Sequence, residues 1–259
     1  MDLGLQGKRA LVTGSTAGIG FAAARGLARE GATVWVNGRT EARVQQAAAR
    51  IGEGARGVAA DLGTAAGAQA LFERVSDLDI LVNNLGIFEP RPFLEIPDED
   101  WRRFFEVNVL SGVRISRHYL PGMLARKWGR ILFISSESGL QIPAEMVHYG
   151  MTKTAQLAVA RGIAESIPAS GVTVNSVLPG PTESEGVAEF VNGLARQQAK
   201  SPEEVARDFF EHARPSSLLK RFATTDEVAA LIVYLCSQQA SATTGAALRV
   251  DGGVVRSIA

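Results

Sequence analysis

The sequence lacks the features that mark secreted, disulfide-bonded or nucleic-acid-binding proteins. Its 259 residues include one cysteine, Cys236, so the chain can form neither an internal disulfide nor a cysteine-rich metal site. We expect this cysteine to be buried in an amphipathic helix. The 27 basic residues balance the 27 acidic ones. A net charge of zero without a long basic run predicts no nucleic-acid partner and no anionic membrane partner.

Long apolar runs and targeting signals are also missing. The longest apolar stretches, such as EVAALIVYL, are too short to span a bilayer, and MDLGLQGKRALVTG lacks the pattern of a secretory signal. We therefore expect a cytoplasmic protein. No linker, repeat or shift in composition divides the chain, which predicts one domain over residues 1–259. Neither His118 nor His212 has a partner at metal-ligand spacing, so we expect no metal site.

The chain does contain a regular alternation of strand-like and helix-like segments. Helices are predicted near residues 18–30, 40–51, 64–76, 98–125, 144–166 and 226–237. Strands are predicted over residues 9–13, 32–37, 55–60, 79–84, 130–135, 172–178 and 247–250. These strands are continuous apolar runs, as in a parallel sheet covered on both faces. The pattern predicts a doubly wound α/β Rossmann fold, whose ligands bind at the carboxyl ends of the strands.

Residues 182–222 interrupt this alternation. A helix is predicted over 186–198, and a second begins after Ser201, with Pro202 in the first turn and Glu204 completing a capping box. An insertion of short helices at the carboxyl ends of strands is typical of a lid over a binding site. We therefore expect a small helical substrate lid over about 182–222.

A glycine-rich turn joins the first strand to the first helix. The stretch TGSTAGIG contains Gly14, Gly18 and Gly20. Glycines here permit a tight turn and a close approach of the backbone to a pyrophosphate. The N-terminus of the following helix stabilises the bound anion through its free N–H groups and its dipole. The turn predicts a dinucleotide site.

The end of the second strand bears on which dinucleotide binds there. An acidic residue at this point pairs with the ribose 2′-hydroxyl of NAD, but here Asn37 and Gly38 precede Arg39. Without a carboxylate here, nothing repels a 2′-phosphate, and the Arg39 guanidinium can bind one through two hydrogen bonds. The sequence therefore favours NADP(H), although NAD(H) stays possible.

A tyrosine and a lysine four residues apart suggest acid–base chemistry. Tyr149 and Lys153 share one face of a helix, and Ser136 ends a strand thirteen residues before the tyrosine. The ammonium is expected to lower the pKa of the phenol, which then exchanges a proton with a carbonyl oxygen or an alcohol.

These motifs, in this order, resemble those of the short-chain dehydrogenase/reductase family over essentially the whole chain. TGSTAGIG is similar to the family's TGxxxGxG turn, NNLG to its NNAG motif, LPGPTES to its PG-x-x-T stretch, and RVDGG to its last strand and turn. Among the members, the sequence is similar to the 3-oxoacyl-acyl-carrier-protein reductases. Two positions depart from the pattern. Leu85 replaces the small residue of NNAG, and Ala17 stands where many NADP-using members have a basic residue.

The resemblance implies a function for each motif. Tyr149 would be the general acid/base, and Lys153 would lower its pKa and hold the ribose. Ser136 would bind the substrate oxygen, and Asn108 would hold a water leading to Lys153. The implied cofactor-binding residues are Gly14, Ser15, Thr16, Gly18, Ile19, Gly20, Arg39, Asp61, Leu62, Asn84, Gly86, Tyr149, Lys153, Pro179, Gly180 and Thr182. The resemblance also implies a homotetramer in which the helices over 98–125 and 144–166 pack between subunits.

The predicted function is hydride transfer between NADP(H) and a small carbonyl or alcohol substrate. The alternatives are an NAD-dependent alcohol, sugar-acid or hydroxysteroid dehydrogenase, and a non-catalytic dinucleotide sensor. The sequence leaves open whether Glu89, Glu137 and Glu145 border the substrate pocket or are solvated loop residues. His148 adjoins the tyrosine in sequence, but neighbours in a helix face different directions, so we expect it to serve packing or an interface.

Overall fold

Parallel strands form the centre of the computed structural model, which describes residues 2–198 and 200–258 apart from the side chains of Glu189 and Phe190. The strands of the described residues are β1 (Arg9–Val12), β2 (Thr33–Gly38), β3 (Ala55–Ala59), β4 (Ile80–Asn83), β5 (Gly129–Ile134), β6 (Val172–Pro179), β7 (Thr182–Glu183), β8 (Ala223–Thr224) and β9 (Ala247–Val250). All the predicted strands are confirmed. The two-residue strands β7 and β8 were not predicted, because so short a pairing has no periodicity to detect.

Helices follow nearly every strand. Those of the described residues are α1 (Gly18–Arg29), α2 (Glu41–Ile51), α3 (Ala65–Arg74), α4 (Asp98–Phe105), α5 (Ser111–Ala125), α6 (Val147–Ser166), α7 (Glu185–Gln198), α8 (Pro202–Asp208) and α9 (Thr225–Cys236). The prediction of a single helix over 98–125 is wrong, because the stretch contains two α-helices. A π-helical turn, Glu106–Leu110, separates α4 from α5.

The main sheet has the order β3-β2-β1-β4-β5-β6-β9, and within the described residues all its neighbouring strands are parallel. The strand order reverses between β1 and β4, since successive strands lead outward from this point to opposite edges. A crevice for ligands forms at such a point, at the carboxyl ends of the strands. The predicted seven-stranded doubly wound Rossmann fold is confirmed.

Two apolar layers cover the two faces of the sheet. Val12 of β1 and Val82 of β4 pack with α1 and α9 on one face, whereas Leu11 and Leu81 pack with α3, α5 and α6 on the other. Successive residues of a strand point to opposite faces, so strands buried on both sides must be apolar throughout. Cys236 is buried in the first layer, as expected.

The segment between β6 and α9 lies outside the main sheet, and its two ends meet in the pairing of β7 with β8. The pairing of β7 with β8 brings Thr182 beside Ala223 and so joins the two ends of the excursion. Within it, α8 begins with the predicted capping box. Ser201 Oγ accepts from the backbone of Glu204, whose carboxylate accepts from the Ser201 N–H.

In residues 2–198 and 200–258, no helix combines the length and the apolar character needed to cross a membrane. Over the same ranges, no group of three or more His, Cys, Asp or Glu side chains is arranged to hold a metal ion.

The side chain of Asn37 joins three strand ends below the glycine turn. Its Nδ2 donates to the carbonyls of Val58 and Ala60, at 3.2 and 3.1 Å, and its Oδ1 accepts from the Gly14 N–H at 3.1 Å. The residue is 2% exposed. Asn37 therefore has a structural role that only an amide can fill, because it both donates and accepts.

We expect Asn37→Asp to reduce the free energy of unfolding by about 3 kcal/mol or more, because it buries a carboxylate against two carbonyls that lose their donor. Asn192→Asp makes the same chemical change at an exposed position of α7 and is expected to alter stability by less than about 0.5 kcal/mol. Urea unfolding of the three proteins measures both effects. Equal stability of the two variants would contradict this role of Asn37.

Candidate active site

A cavity of about 800 Å³ lies at the carboxyl ends of the central strands. The glycine turn and the ends of β4, β5 and β6 form one side, and α7, α8 and the turn Phe209–Ala213 form the other. The cavity brings together most of the site residues expected from the sequence, namely Gly18, Ile19, Gly20, Asn84, Gly86, Ser136, Tyr149, Lys153, Pro179, Gly180 and Thr182.

The glycine turn has the shape and polarity of an anion cradle. Gly14 and Gly18 have positive φ values of 60° and 58°, which favour glycine. Helix α1 begins after Ala17 with no side-chain cap and no acidic residue in its first turn, so its N-terminal N–H groups face the cavity without a competing partner in that turn. Such an uncapped N-terminus suits a pyrophosphate. These residues therefore fit a dinucleotide.

Gly20 is required by close packing beneath this turn. A Cβ atom added there would lie 2.5 Å from Asn84 Nδ2 and 2.7 Å from the Gly14 carbonyl oxygen. Asn84 Nδ2 itself donates to the carbonyls of Thr13 and Gly14, both at 3.0 Å. The amide at the end of β4 thus fixes the turn that follows β1.

The remaining cofactor residues expected from the sequence lie outside the cavity wall. Gly14 and Ser15 form the base of the turn, where the Ser15 hydroxyl donates to Val12 O at 2.6 Å. Thr16 packs against Gly38. Arg39 and Asp61 are exposed beyond the ends of β2 and β3, while Leu62 is buried in the core. Arg39 and Asp61 carry exposed charged side chains, and Asp61 Oδ1 accepts from the Gly63 N–H at 3.1 Å.

Lys153 is buried behind Tyr149, on the same face of α6. Its Nζ lies 5.5 Å from the centre of the Tyr149 ring and donates to Ile134 O at 2.9 Å and to Gln156 Oε1 at 3.3 Å. Burial lowers the pKa of Lys153 to about 8, while the charge of Glu137 acts in the opposite direction.

Lys153 was expected to lower the pKa of Tyr149, but the surrounding protein raises it, and Lys153 is not among the causes. Burial raises the pKa of Tyr149 well above its usual range, and the charge of Glu137 raises it further. The Ser136 hydroxyl and the Arg214 charge act against these effects and are outweighed. The expectation was wrong because desolvation and a neighbouring carboxylate disfavour the phenolate.

Asn108 is buried in the π-helical turn and does not line the cavity. Its side chain bonds to the backbone of Ile87 and to Thr152 Oγ1. Its main-chain oxygen accepts from Gln156 Nε2 at 2.6 Å, and Gln156 Oε1 in turn accepts from Lys153. The structure therefore connects Asn108 to Lys153 through Gln156, which the sequence analysis had not singled out.

Glu137 adjoins Ser136 in the cavity wall and is only 5% exposed. Its Oε2 accepts from Ser136 Oγ and, at 2.9 Å, from the Ser138 N–H. Ser136 Oγ also accepts from that N–H at 3.1 Å. The sequence left open whether Glu137 borders the pocket or is a solvated loop residue. The structure places it in the cavity wall.

Arg214, which follows the turn Phe209–Ala213, is the counterion of Glu137. Its Nε donates to Glu137 Oε1 at 3.1 Å, and its Nη1 donates to Glu145 Oε1 at 3.2 Å. Glu145 also lines the cavity but is half exposed, whereas Glu89 pairs with Arg91 and Arg103 away from the cavity wall. No local pattern in the sequence pointed to Arg214, because its partner lies 77 residues away.

Apolar side chains of the 182–222 segment form the outer wall of the cavity. These are Val187, Val191, Leu194, Val205, Phe209 and Phe222. Phe210 is buried and packs against Phe209 and Phe222, which anchors the turn Phe209–Ala213. The outer wall therefore adds a cluster of apolar side chains to the cavity, beside polar lining residues such as His212 and Arg214.

Two residues near the site serve packing. His148 is 1% exposed, its ring lies 4.0 Å from that of Phe104, and burial lowers its pKa. Its expected packing role is confirmed. Leu85 packs against the core beneath the sheet and is not among the residues lining the cavity.

Comparison with known proteins identifies the family. A family model described as enoyl-(acyl carrier protein) reductase matches residues 14–255. This chain belongs to the short-chain dehydrogenase/reductase family. The uncharacterized oxidoreductase YvrD of Bacillus subtilis is 49% identical to this family member, with 100% of both chains covered.

Two further relatives have named activities. The 3-oxoacyl-acyl-carrier-protein reductase FabG of Aquifex aeolicus is 34% identical, with 98% of this chain and 100% of that protein covered. The crystal structure of L-sorbose reductase from Gluconobacter frateurii, complexed with NADPH and L-sorbose, matches with a TM-score of 0.94. That enzyme is 32% identical, with 100% of both chains covered. This family member is accordingly an oxidoreductase that acts on CH–OH groups with a nicotinamide dinucleotide.

We expect Gly20→Ala to abolish dinucleotide binding, because the added methyl group must displace Asn84 or the backbone of Gly14. Gly162→Ala is the matched control. It adds a methyl group to α6 where no atom outside the helix's own neighbouring backbone lies within 4 Å, and is expected to leave dinucleotide binding unchanged. Nicotinamide fluorescence titration and thermal unfolding measure both. Unchanged NADPH and NADH binding in the Gly20 variant would contradict this role of the turn.

Proposed function

We propose that this enzyme interconverts a carbonyl compound and an alcohol, with Tyr149 as the general acid/base and NADP(H) as the preferred cofactor. The observation that carries the proposal is the convergence of Ser136, Tyr149 and Lys153 on one cavity beside the glycine turn. When bound, the dinucleotide supplies or accepts the hydride. The protein supplies position and proton transfer.

Each polar group in the proposed site has a distinct task. Tyr149 gives a proton to the carbonyl oxygen during reduction and removes it during oxidation. Ser136 donates a hydrogen bond to the same oxygen and stabilises the charge that develops there. Lys153, held by Ile134 O and Gln156, places a cation behind the phenol and is the residue proposed to hold the nicotinamide ribose.

The raised pKa of Tyr149 suits the proton-donating step of carbonyl reduction near neutral pH. A phenol surrounded by Glu137, Lys153 and Arg214, with a pKa above its usual range, is protonated at neutral pH and ready to act as an acid. Oxidation needs the phenolate and is expected to accelerate as the pH rises.

Arg39 supports the preference for NADP(H). Its side chain is exposed at the carboxyl end of β2, and within the described residues no hydrogen bond or ion pair engages it. A free guanidinium can bind a 2′-phosphate through two parallel hydrogen bonds. Asn37 cannot read a ribose hydroxyl, because its side chain is committed to the strand ends.

The expectations about the rest of the molecule remain predictions. The segment over about 182–222 is proposed to close over the substrate, since its helices form the outer cavity wall. A homotetramer is proposed with the helices of residues 98–125 and 144–166 at the interfaces. A cytoplasmic location and one domain over 1–259 also stay as predicted.

We expect Tyr149→Phe to lower kcat by about 10²–10⁴, because it removes the transferable proton and leaves the ring in place. NADPH binding should be unchanged. Tyr234→Phe removes a phenolic hydroxyl from the exposed face of α9 and should retain full activity. Steady-state reduction of a carbonyl panel checks both variants. Retention of more than a tenth of the activity by the Tyr149 variant would instead favour another proton donor.

We expect the wild-type protein to bind NADPH at least tenfold more tightly than NADH, a margin of about 1.4 kcal/mol. Arg39→Ala should remove this margin by weakening NADPH binding alone. Arg29→Ala, at the far end of α1, removes the same charge away from the strand ends and should leave the margin intact. Nicotinamide fluorescence titrations provide the dissociation constants. Tighter binding of NADH by the wild type would favour the NAD-dependent alternative.

A further inference from the structure

The Ser136 hydroxyl donates its one proton to Glu137. Ser136 Oγ donates to Glu137 Oε2 and accepts from the Ser138 N–H. A hydroxyl has a single proton, so Ser136 cannot also donate to a carbonyl oxygen while this hydrogen bond persists. The function proposed above requires that second donation. When Ser136 donates to a carbonyl oxygen instead, Glu137 Oε2 keeps the Ser138 N–H but loses one of its two donors.

We propose that Glu137 selects substrates with a hydroxyl on the carbon next to the carbonyl, that is, α-hydroxy ketones and aldehydes, or vicinal diols in the oxidative direction. The substrate hydroxyl donates to the Glu137 carboxylate in place of Ser136. The Ser136 proton then turns to the carbonyl oxygen, beside Tyr149. This inference rests on the proposed carbonyl–alcohol function and specifies its substrate class.

The exchange keeps every polar group satisfied. Before it, Ser136 donates to the carboxylate. After it, the substrate hydroxyl donates to the carboxylate and Ser136 donates to the carbonyl oxygen. With a ketone that lacks the hydroxyl, the single Ser136 proton can bond to the carbonyl oxygen or to Glu137 Oε2, but not to both. Losing one of the two hydrogen bonds to a buried carboxylate oxygen is costly, so the site discriminates between the two kinds of substrate.

The position of Glu137 is fixed by groups that do not take part in the exchange. The Ser138 N–H holds Oε2 at 2.9 Å, and Arg214 Nε holds Oε1 at 3.1 Å. A carboxylate has about four lone-pair sites, and the contacts named here occupy three. The carboxylate can therefore accept an incoming hydroxyl without moving.

The charges around the carboxylate favour a neutral substrate. Arg214 already contacts both Glu137 and Glu145, and the Lys153 ammonium is directed at Ile134 O and Gln156. A substrate carboxylate would have to compete with two acidic side chains for one guanidinium. A hydroxyl finds a fixed acceptor in the same place.

Three small ketones test the selection. Hydroxyacetone carries the neighbouring hydroxyl, butanone replaces it with a methyl group of similar size, and methoxyacetone keeps the oxygen but cannot donate. We expect kcat/KM of the wild-type enzyme with NADPH to be at least tenfold higher for hydroxyacetone than for either of the other two. Methoxyacetone matters because an α-oxygen also activates the carbonyl electronically.

Two variants separate Glu137 from its surroundings. Glu137→Gln is expected to reduce the hydroxyacetone preference to below about threefold. Glu89→Gln makes the same change at a carboxylate that pairs with Arg91 and Arg103 away from the cavity wall, and should keep the preference. NADPH titration confirms that each variant is folded. Glu137→Asp retains the charge beside Arg214 with a shorter reach, and should also lose the preference.

The outcomes that overturn the inference are specific. Equal reduction of hydroxyacetone and butanone, or of hydroxyacetone and methoxyacetone, contradicts it while leaving the proposed function intact. So does an unchanged preference in Glu137→Gln. The wild-type comparison decides even where a variant does not fold. Failure to reduce any of the three ketones with NADPH or NADH, despite tight dinucleotide binding, contradicts the proposed function and this inference with it.

Discussion

The ion pair between Glu137 and Arg214 is the interaction on which the active-site cavity depends. A buried carboxylate is costly unless it is paired and hydrogen-bonded, and here Ser136, Ser138 and Arg214 together provide those contacts. Arg214 belongs to the segment that leaves the sheet after β6, so its pairing fixes that segment over the ends of the strands. Burial raises the pKa of the Tyr149 phenol, and the Glu137 charge raises it further, while the Arg214 charge acts in the opposite direction.

The fold determines what can meet at this point. Parallel strands covered on both faces end at one edge, and the reversal of strand order between β1 and β4 opens a crevice there. Polar groups at the ends of β1, β2 and β4 are used to stabilise that edge, as Asn37 and Asn84 show through their bonds to the glycine turn. None of these side chains caps α1, so the N–H groups at the start of the helix are available to a phosphate group.

Features set by local sequence were predictable. Apolar runs gave all the strands of the main sheet, and the capping box after Ser201 gave the start of α8. Features set by distant contacts were not. Gln156 links Lys153 to Asn108 through a tertiary contact, in which the Asn108 carbonyl of the π-helical turn accepts from α6. The partnership of Glu137 with Arg214 depends on the path of the intervening chain. The pKa of Tyr149 is raised first by burial and then by the Glu137 charge, and both depend on the tertiary structure around the phenol.

The most direct test is a crystal structure of the Tyr149→Phe enzyme with NADPH and hydroxyacetone bound. The account predicts the dinucleotide phosphates at the start of α1, the hydroxyl of the ligand on the Glu137 carboxylate, and Ser136 Oγ on the carbonyl oxygen. A structure in which Ser136 still donates to Glu137 while the ligand hydroxyl points elsewhere would contradict the selection by Glu137. Phosphates bound away from the glycine turn would contradict the site as a whole.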